Sequence, residues 1–161
     1  MLCGLVLTFT TSAPTSAVTT GAERKAEVKL FKKINKSRTS MGLPPLTEHA
    51  FILSEVRDHS DFNSETPSAP PHAGFEGRVE RIMTADSGIE FDICENEAFL
   101  KGFTDPKKVA SAFLKFWKGS PEHNACLHDL NGWTSVSAAV GISRVGLRWW
   151  GTFIAAADST P

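Results

Sequence analysis

The sequence predicts an α+β domain in which helices cover a sheet, and three observations carry that prediction. Two amphipathic, helix-like stretches stand in the first third of the chain. Asp105-Pro106 opens a further helix of strong 3.6-residue period, and two apolar runs flank Arg144-Val145-Gly146 as in an antiparallel hairpin. Helices followed by strands mixed with a helix bury their apolar faces as layers over a sheet. A chain of 161 residues with 41% hydrophobic residues suits one compact domain, and neither a repeat nor a second domain is evident.

Each element has its own signal. Val28, Phe31, Ile34 and the apolar stem of Arg38 recur at helical spacing, and Gly42 with Pro44-Pro45 stops that helix. A second helix is expected from Thr47, whose hydroxyl can cap it, with Phe51, Ile52, Leu53, Val56 and His59 on its inner face. Asn63 to Pro71 is rich in Ser and Pro and reads as a loop. Phe75 to Met83 reads as a short helix ended by Gly88, and Ile89 to Phe99 as a strand followed by a turn. In the next helix Asp105 is the cap, Pro106 the first helical residue, and Val109, Phe113, Phe116 and Trp117 share one side. Gly119-Ser120-Pro121 ends it. Val136 to Ile142 and Leu147 to Ile154 form the hairpin.

Charge excludes some partners. The net charge is −1, so nothing global directs the chain to nucleic acid or to acidic membranes. Lys25, Lys29, Lys32, Lys33 and Lys36 line one side of the first helix and read as a solvated face. With 11 Phe, 4 Trp and no Tyr, the aromatics suit interior packing more than an exposed stacking platform. Leu2 to Phe9 is an apolar run followed by Thr, Ser, Ala and Pro, with no charge before Glu23. It matches the apolar core and small-residue cleavage region of a signal peptide, with Thr15-Ser16-Ala17 as the cleavage site, although it lacks a basic n-region. The run is too short to span a bilayer, so the expectation is a secreted, extracellular monomer with no transmembrane span.

If Cys3 leaves with the signal, Cys94 and Cys126 remain, and an even pair in a secreted chain suggests one disulfide. Closing a loop of that size would stabilise the fold by roughly 3–4 kcal/mol. Two buried, reduced thiols are the alternative.

Candidate functional residues lie far apart in sequence. His72 follows Pro70-Pro71, Glu95-Asn96 interrupts an apolar run, and His123 closes Gly119-Ser120-Pro121-Glu122-His123 just after Phe116-Trp117. Two histidines and a carboxylate, each beside apolar structure, can meet only if the fold assembles one polar cavity. Cys94 and Cys126 flank that cavity, where a bridge would staple it.

Taken together these landmarks resemble the CAP superfamily: cysteine-rich secretory proteins, antigen 5 and the first class of plant pathogenesis-related proteins. The bacterial-type branch, with its SCP-like extracellular domains, is the nearer match. The resemblance covers about residues 26 to 156, after a signal peptide (1–17) and leader (18–25) and before a short tail (157–161). It rests on Ile34-Asn35-Lys36-Ser37-Arg38 with Gly42-Leu43-Pro44-Pro45-Leu46, Pro71-His72 with Arg78, and Glu95-Asn96. Trp117 with Ser120-Pro121-Glu122-His123, Val140-Gly141-Ile142 and Trp149-Trp150 complete it.

The resemblance implies a three-layered α-β-α sandwich with a central, antiparallel-rich sheet and a large central cavity. It makes His72 and His123 the two cavity histidines and Glu95 the glutamate of the family's Gly-Glu-Asn motif. Cys94 replaces the usual glycine of that motif. Glu122 stands where glycine is common and Asn124 where arginine is common. The second cavity glutamate of animal members has no secure counterpart, and Glu122 is the nearest candidate. Asn35, Arg38 and Asn96 read as scaffold, with Arg38 tying its helix to neighbouring carbonyls.

Two neutral imidazoles can bind zinc or another divalent cation, with a carboxylate to orient bound water. Hydrolytic zinc enzymes use such an arrangement to make hydroxide, yet no local signature of the H-E-x-x-H kind is present. A structural hydrogen-bond network through Glu95 competes with the metal reading. No catalytic nucleophile stands out. Ser120 before a proline reads as a turn residue, His59 as a core or cavity-edge histidine, and His49 and His128 as surface residues. The resulting expectation is a non-enzymatic binding or effector module, with a metal-dependent hydrolase as the alternative. CAP relatives are also associated with sterol and fatty acid, and Phe99, Phe103, Phe113, Phe116 and Trp149 could line a groove. A third reading is a protein-interaction or cell-surface module using loops Asn63–Pro71 and His123–Trp133.

Overall fold

A computed structural model of the chain describes residues 21–85, 89–128 and 136–158, without the side chains of residues 89–91 and 158. The predicted signal peptide with Cys3, the first three residues of the leader, the Gly88 stop, residues 129–133 of the second contact loop and the last three residues of the tail lie outside the described residues.

Helix α1 (Gly21–Ser40) buries Ala26, Leu30 and Ile34 at intervals of one turn, with Glu23, Glu27 and Arg38 on the same face. The buried stripe is therefore rotated from the predicted one, and Val28 and Phe31 are only half-buried. The rotation brings Glu27 into the core. There its carboxylate accepts from Arg57 Nε (3.1 Å) and Nη2 (2.6 Å), and from the backbone N–H of Ile142 (3.2 Å). Lys25, Lys29, Lys32 and Lys36 face solvent as expected.

Thr47 does not cap the second helix. Thr47–Glu48 forms the short strand β1, and α2 (Ala50–Glu65) starts after His49, whose Nδ1 accepts from the N–H of Ile52. The backbone of Thr47 is already engaged in pairing with Ser137. Helix α3 (Phe75–Ala85) leads to β2 (Ile89–Lys101), which runs two residues further than predicted. Helix α4 (Pro106–Lys118) has the expected Asp105 cap, whose side chain accepts from Lys107 N–H, and Pro106 at its first turn. Its inner face is Val109, Ala110, Phe113 and Trp117, while Phe116 is 50% exposed. Ser120-Pro121 does not merely end α4. Pro121 opens a further helix, α5 (Pro121–His128), so the segment expected to be loop from His123 is helical as far as His128.

Strands β3 (Val136–Val145) and β4 (Arg148–Asp158) form the predicted hairpin, joined at Gly146, whose φ is +62°. The sheet order is β1-β3-β4-β2, antiparallel apart from the β1–β3 bridge. Alternation along the strands divides the core. Val136, Ala138, Val140, Ile142, Trp149, Phe153 and Ala155 pack with α1, α4 and α5 residues. Ala139, Ile154 and Ala156 pack with Ile52 and Val56 of α2 and Ile82 of α3. The result is a three-layered α-β-α sandwich with β2 at one edge of the sheet.

Arg38 ties the layers at their far end, donating from Nε to Pro44 O (2.9 Å) and from Nη1 to Leu127 O (2.8 Å). Asn35 bonds both backbone groups of Leu46. His128, expected at the surface, is buried, with Nε2 against Ser37 Oγ at 3.0 Å. Its place follows from α5, which turns it toward α1.

Gly141 marks the closest approach of α2 to the sheet. A Cβ there would lie 2.3 Å from the carbonyl carbon and oxygen of Val56, and backbone cannot yield as a side chain can. Gly141→Ala is expected to cost about 3 kcal/mol or more, beyond the usual range for a one-methyl overpacking. Urea denaturation checks this; a loss below about 1 kcal/mol would mean that α2 moves freely off the sheet.

Candidate functional site

The site wraps the outer edge of β2. Among the described residues this strand pairs only with β4, so its other edge is covered by side chains and loops. Strand alternation points Cys94 and Asn96 toward α5, and Glu95 and Glu97 toward α2 and α3. Cys94 is bridged to Cys126, and Asn96 Nδ2 donates to His123 O at 2.9 Å. These two ties hold α5 against the strand. They bring His123 round the edge on which Glu95 opens.

Arg78, from the first turn of α3, organises the other side. Its Nε and Nη2 donate to Glu95 Oε2 (2.8 Å) and Oε1 (2.7 Å) as a two-pronged fork, and Nη1 donates to Ala73 O at 2.7 Å. The same Nη1 lies 3.0 Å from His59 Nδ1, which makes that nitrogen the acceptor. His59 therefore carries its proton on Nε2, which it donates to Glu97 Oε1. Arg78 is 4% exposed and the Glu95 side chain 1%. Removing either partner would strand a buried charge, at a cost of order 3–5 kcal/mol.

His72 is held from two directions. Its backbone N–H donates to Glu97 Oε2 (3.0 Å), and its ring Nδ1 lies 3.0 Å from Glu95 Oε1. A carboxylate gripped by a guanidinium can only accept, so Nδ1 bears the proton, and in the neutral ring Nε2 is left bare. His72 adopts φ of +59°, the left-handed region that disfavours side chains by roughly 1–2 kcal/mol. The two glutamates hold it there.

His123 is part-buried, and its Nδ1 is buried without a hydrogen-bond partner. Loss of solvent lowers its pKa below the ordinary histidine value, and positive charge on nearby His72, when that ring is protonated, lowers it further against an opposing pull from Glu122. The two histidines are thus close enough to sense each other. The His123 ring also lies tilted against Phe116, with centroids 6.0 Å apart.

His72, Glu95 and His123 accordingly converge on one edge. Glu122 does not join them: it is exposed at the first turn of α5, where its carboxylate accepts from Ser120 Oγ at 2.7 Å. That bond lowers its pKa. The Ser120 hydroxyl is thereby turned to the helix start.

The sequence reading passed over Glu97 and gave Arg78 no role. Glu97 follows Glu95 by two residues and so shares its face, a signal the alternation contained. Ligand atoms of His59, Glu95 and Glu97 lie within 4.8 Å of one another, so this His/Glu group could hold a metal ion. Arg78 already occupies Glu95 and His59, however, and a cation at that point would compete with it. The imidazole nitrogens not engaged by Arg78 are His72 Nε2 and those of His123.

No protein-family model matches the sequence, and no curated protein matches it significantly. Solved structures do match. An outer surface protein from Borrelia burgdorferi is 12% identical, with a TM-score of 0.59 over 80% of this chain and 90% of that one. An extracellular protein containing an SCP domain from Bacillus anthracis is 19% identical, with a TM-score of 0.59 over 89% of this chain and 45% of that one. The CAP domain of enterococcal PrgA is 12% identical, with a TM-score of 0.57 over 84% of this chain and 61% of that one. The chain thus spans less than two thirds of the Bacillus and enterococcal chains. It has the CAP fold. Among the described residues no helix is long and apolar enough to cross a membrane.

Burial alone would raise the pKa of Glu97, but the bonds from His59 and from His72 N–H bring it down to about 2 from an ordinary 4.5, and positive charge on either ring, when protonated, acts in the same direction. A folded pKa below the unfolded one means that Glu97 stabilises fully above pH 4.5 and loses that contribution as the pH falls toward 2. Urea unfolding across this window should weaken more steeply in the native chain than in Glu97→Gln. Parallel curves would contradict the assigned partners.

Proposed function

We propose that this chain is a secreted CAP-domain protein acting as a non-enzymatic binding module, whose cavity takes a divalent cation between His72 and His123. Secretion is inferred from the apolar run and small residues at the N-terminus, and family membership from the CAP fold together with the motifs quoted above. The observation that carries the metal reading is the state of the two imidazoles. His123 Nδ1 is buried and unpartnered, and the Glu95 bond to Nδ1 of His72 leaves Nε2 as a bare donor. A carboxylate that fixes a histidine through its far nitrogen is the usual outer support of a metal-bound imidazole.

The lowered pKa of His123 favours its neutral, ligating form, reducing competition from protons. Imidazole donors suit zinc and neighbouring transition metals. In that site Glu95, committed to Arg78 and His72, orients a ligand and does not bind the ion itself. Such an ion would supply positive charge and polarise a bound oxygen. Ser120 is engaged with Glu122, which speaks against a serine nucleophile. Zinc calorimetry at neutral pH should give one site per chain, weakened about 100-fold or more by His72→Ala and by His123→Ala. Unchanged uptake in either variant removes that histidine from the site and leaves the network structural.

An apolar ligand is a second reading, favoured by a groove of about 500 Å3 between α4 and the end of β2. Leu100, Ala112, Phe116 and His123 line it, with Lys115 on its wall. Its apolar floor fits an acyl chain or a sterol, and the Lys115 ammonium fits a carboxylate. A labelled fatty acid should bind the delipidated protein saturably, with affinity reduced about tenfold by Phe116→Ala. A further loss in Lys115→Ala selects fatty acid over sterol, and no saturable binding of either leaves this groove without the role.

A further inference from the structure

On the α2 face of the sheet, beside Glu97, lies a cavity of about 220 Å3 that no histidine side chain lines. Asn63, Pro67 and Pro70 form its outer wall, and Glu97, Phe99 and Trp150 its inner one. The strand register explains the inner wall. Phe99 pairs with Trp150 and Glu97 with Thr152 across β2 and β4, so carboxylate and aromatic rings succeed each other along one face. The two rings make a corner, with centroids 5.1 Å apart and planes at 48°. Phe99 is 47% exposed and Trp150 only 7%.

The two carboxylates beside Arg78 are not held alike. Arg78 is committed to Glu95 through both prongs of its fork. Among the described residues Glu97 receives the N–H of His59 and the backbone N–H of His72, with the Arg78 guanidinium 3.8 Å away. His59 accepts from Arg78 at Nδ1 and donates from Nε2 to Glu97. Of the two carboxylates beside this guanidinium, Glu95 takes its fork and Glu97 is the one that reaches the cavity. Its side chain keeps 14% of its surface, at the cavity wall.

We propose that this cavity binds a small organic monocation of the alkylammonium type. The ammonium meets Glu97, and its carbon substituents lie against Phe99, Trp150 and the prolines. The chemistry of the walls excludes a hydrated metal ion as the preferred occupant. One carboxylate among aromatic and proline surfaces offers too few oxygen donors for calcium or magnesium. Aromatic faces attract a cation that sheds water easily, and they gain most when the site is desolvated. The volume admits a group of a few carbons, such as a lysine-like primary ammonium or a choline-like quaternary one. The proposal uses neither imidazole of the His72–His123 pair and stands whether or not zinc binds there.

The test is a titration at constant ionic strength, followed by the indole N–H of Trp150 in 1H–15N spectra, with Trp150→Phe assigning the signal. n-Butylammonium and choline are the probes, and n-butanol is the uncharged control. A saturable shift at millimolar probe is expected, about tenfold weaker in Glu97→Gln and in Phe99→Ala, and absent with butanol. Phe99→Ala alters an exposed side chain and keeps the test valid if Glu97→Gln unfolds. Tighter butylammonium binding assigns a primary ammonium, and tighter choline binding a quaternary one. Equal shifts with butanol, or linear shifts with both cations, would overturn the proposal.

Discussion

The buried Arg78 guanidinium is the contact on which the functional edge of this molecule depends. It grips Glu95, bonds the carbonyl of Ala73 and fixes the tautomer of His59. Each of those consequences propagates. With Glu95 held as an acceptor, His72 must present its protonated Nδ1 to it and leave Nε2 bare. With His59 protonated on Nε2, Glu97 acquires a donor, and its other oxygen is free to hold the backbone of His72 in a left-handed conformation. A lysine could not substitute, because a point charge has no fork with which to address a carboxylate, a carbonyl and an imidazole together.

Strand β2 is what allows so many polar groups to meet at the margin of an apolar sheet. One face carries Glu95, Glu97 and Phe99. The other carries Cys94, which is bridged to Cys126, and Asn96, which bonds His123 O. The strand thus joins two helical layers at an edge that would otherwise expose unpaired backbone. Trp117 contributes to the same closure by donating from Nε1 to Glu97 O at 3.2 Å. The edge is closed by chemistry specific to the site, so fold and candidate function share residues.

Much of this was legible in the sequence. The Asp105-Pro106 start of α4, the hairpin around Gly146 and the Cys94–Cys126 pair each have a local or arithmetical signal, and the motifs around His72, Glu95 and His123 identified the fold. The misreadings have a common cause, since each concerns a residue whose role is set by a distant partner. Thr47 could cap a helix, but pairing with Ser137 claims its backbone. Pro121 can end one helix or begin another, and that ambiguity concealed α5 and the burial of His128. Phe116 lies on the helical side that periodicity marks as apolar, yet nothing covers that position among the described residues and it borders the groove beside His123. Glu97 lay on the same strand face as Glu95, but a second carboxylate in an apolar run gives no hint that a histidine and a backbone N–H await it.

The account therefore rests on a definite protonation pattern, in which Glu95 and Arg78 set His72 with its proton on Nδ1 and leave the opposite nitrogen for a cation shared with His123. Long-range 1H–15N correlation of the histidine rings, recorded at neutral pH before and after one equivalent of zinc, reads that pattern directly. The account predicts His72 as the Nδ1-protonated tautomer in the free protein, with zinc shifting its Nε2 and one nitrogen of His123 while His59 keeps its Nε2 proton. A His72 ring protonated on Nε2, or zinc shifts confined to His59, would contradict it.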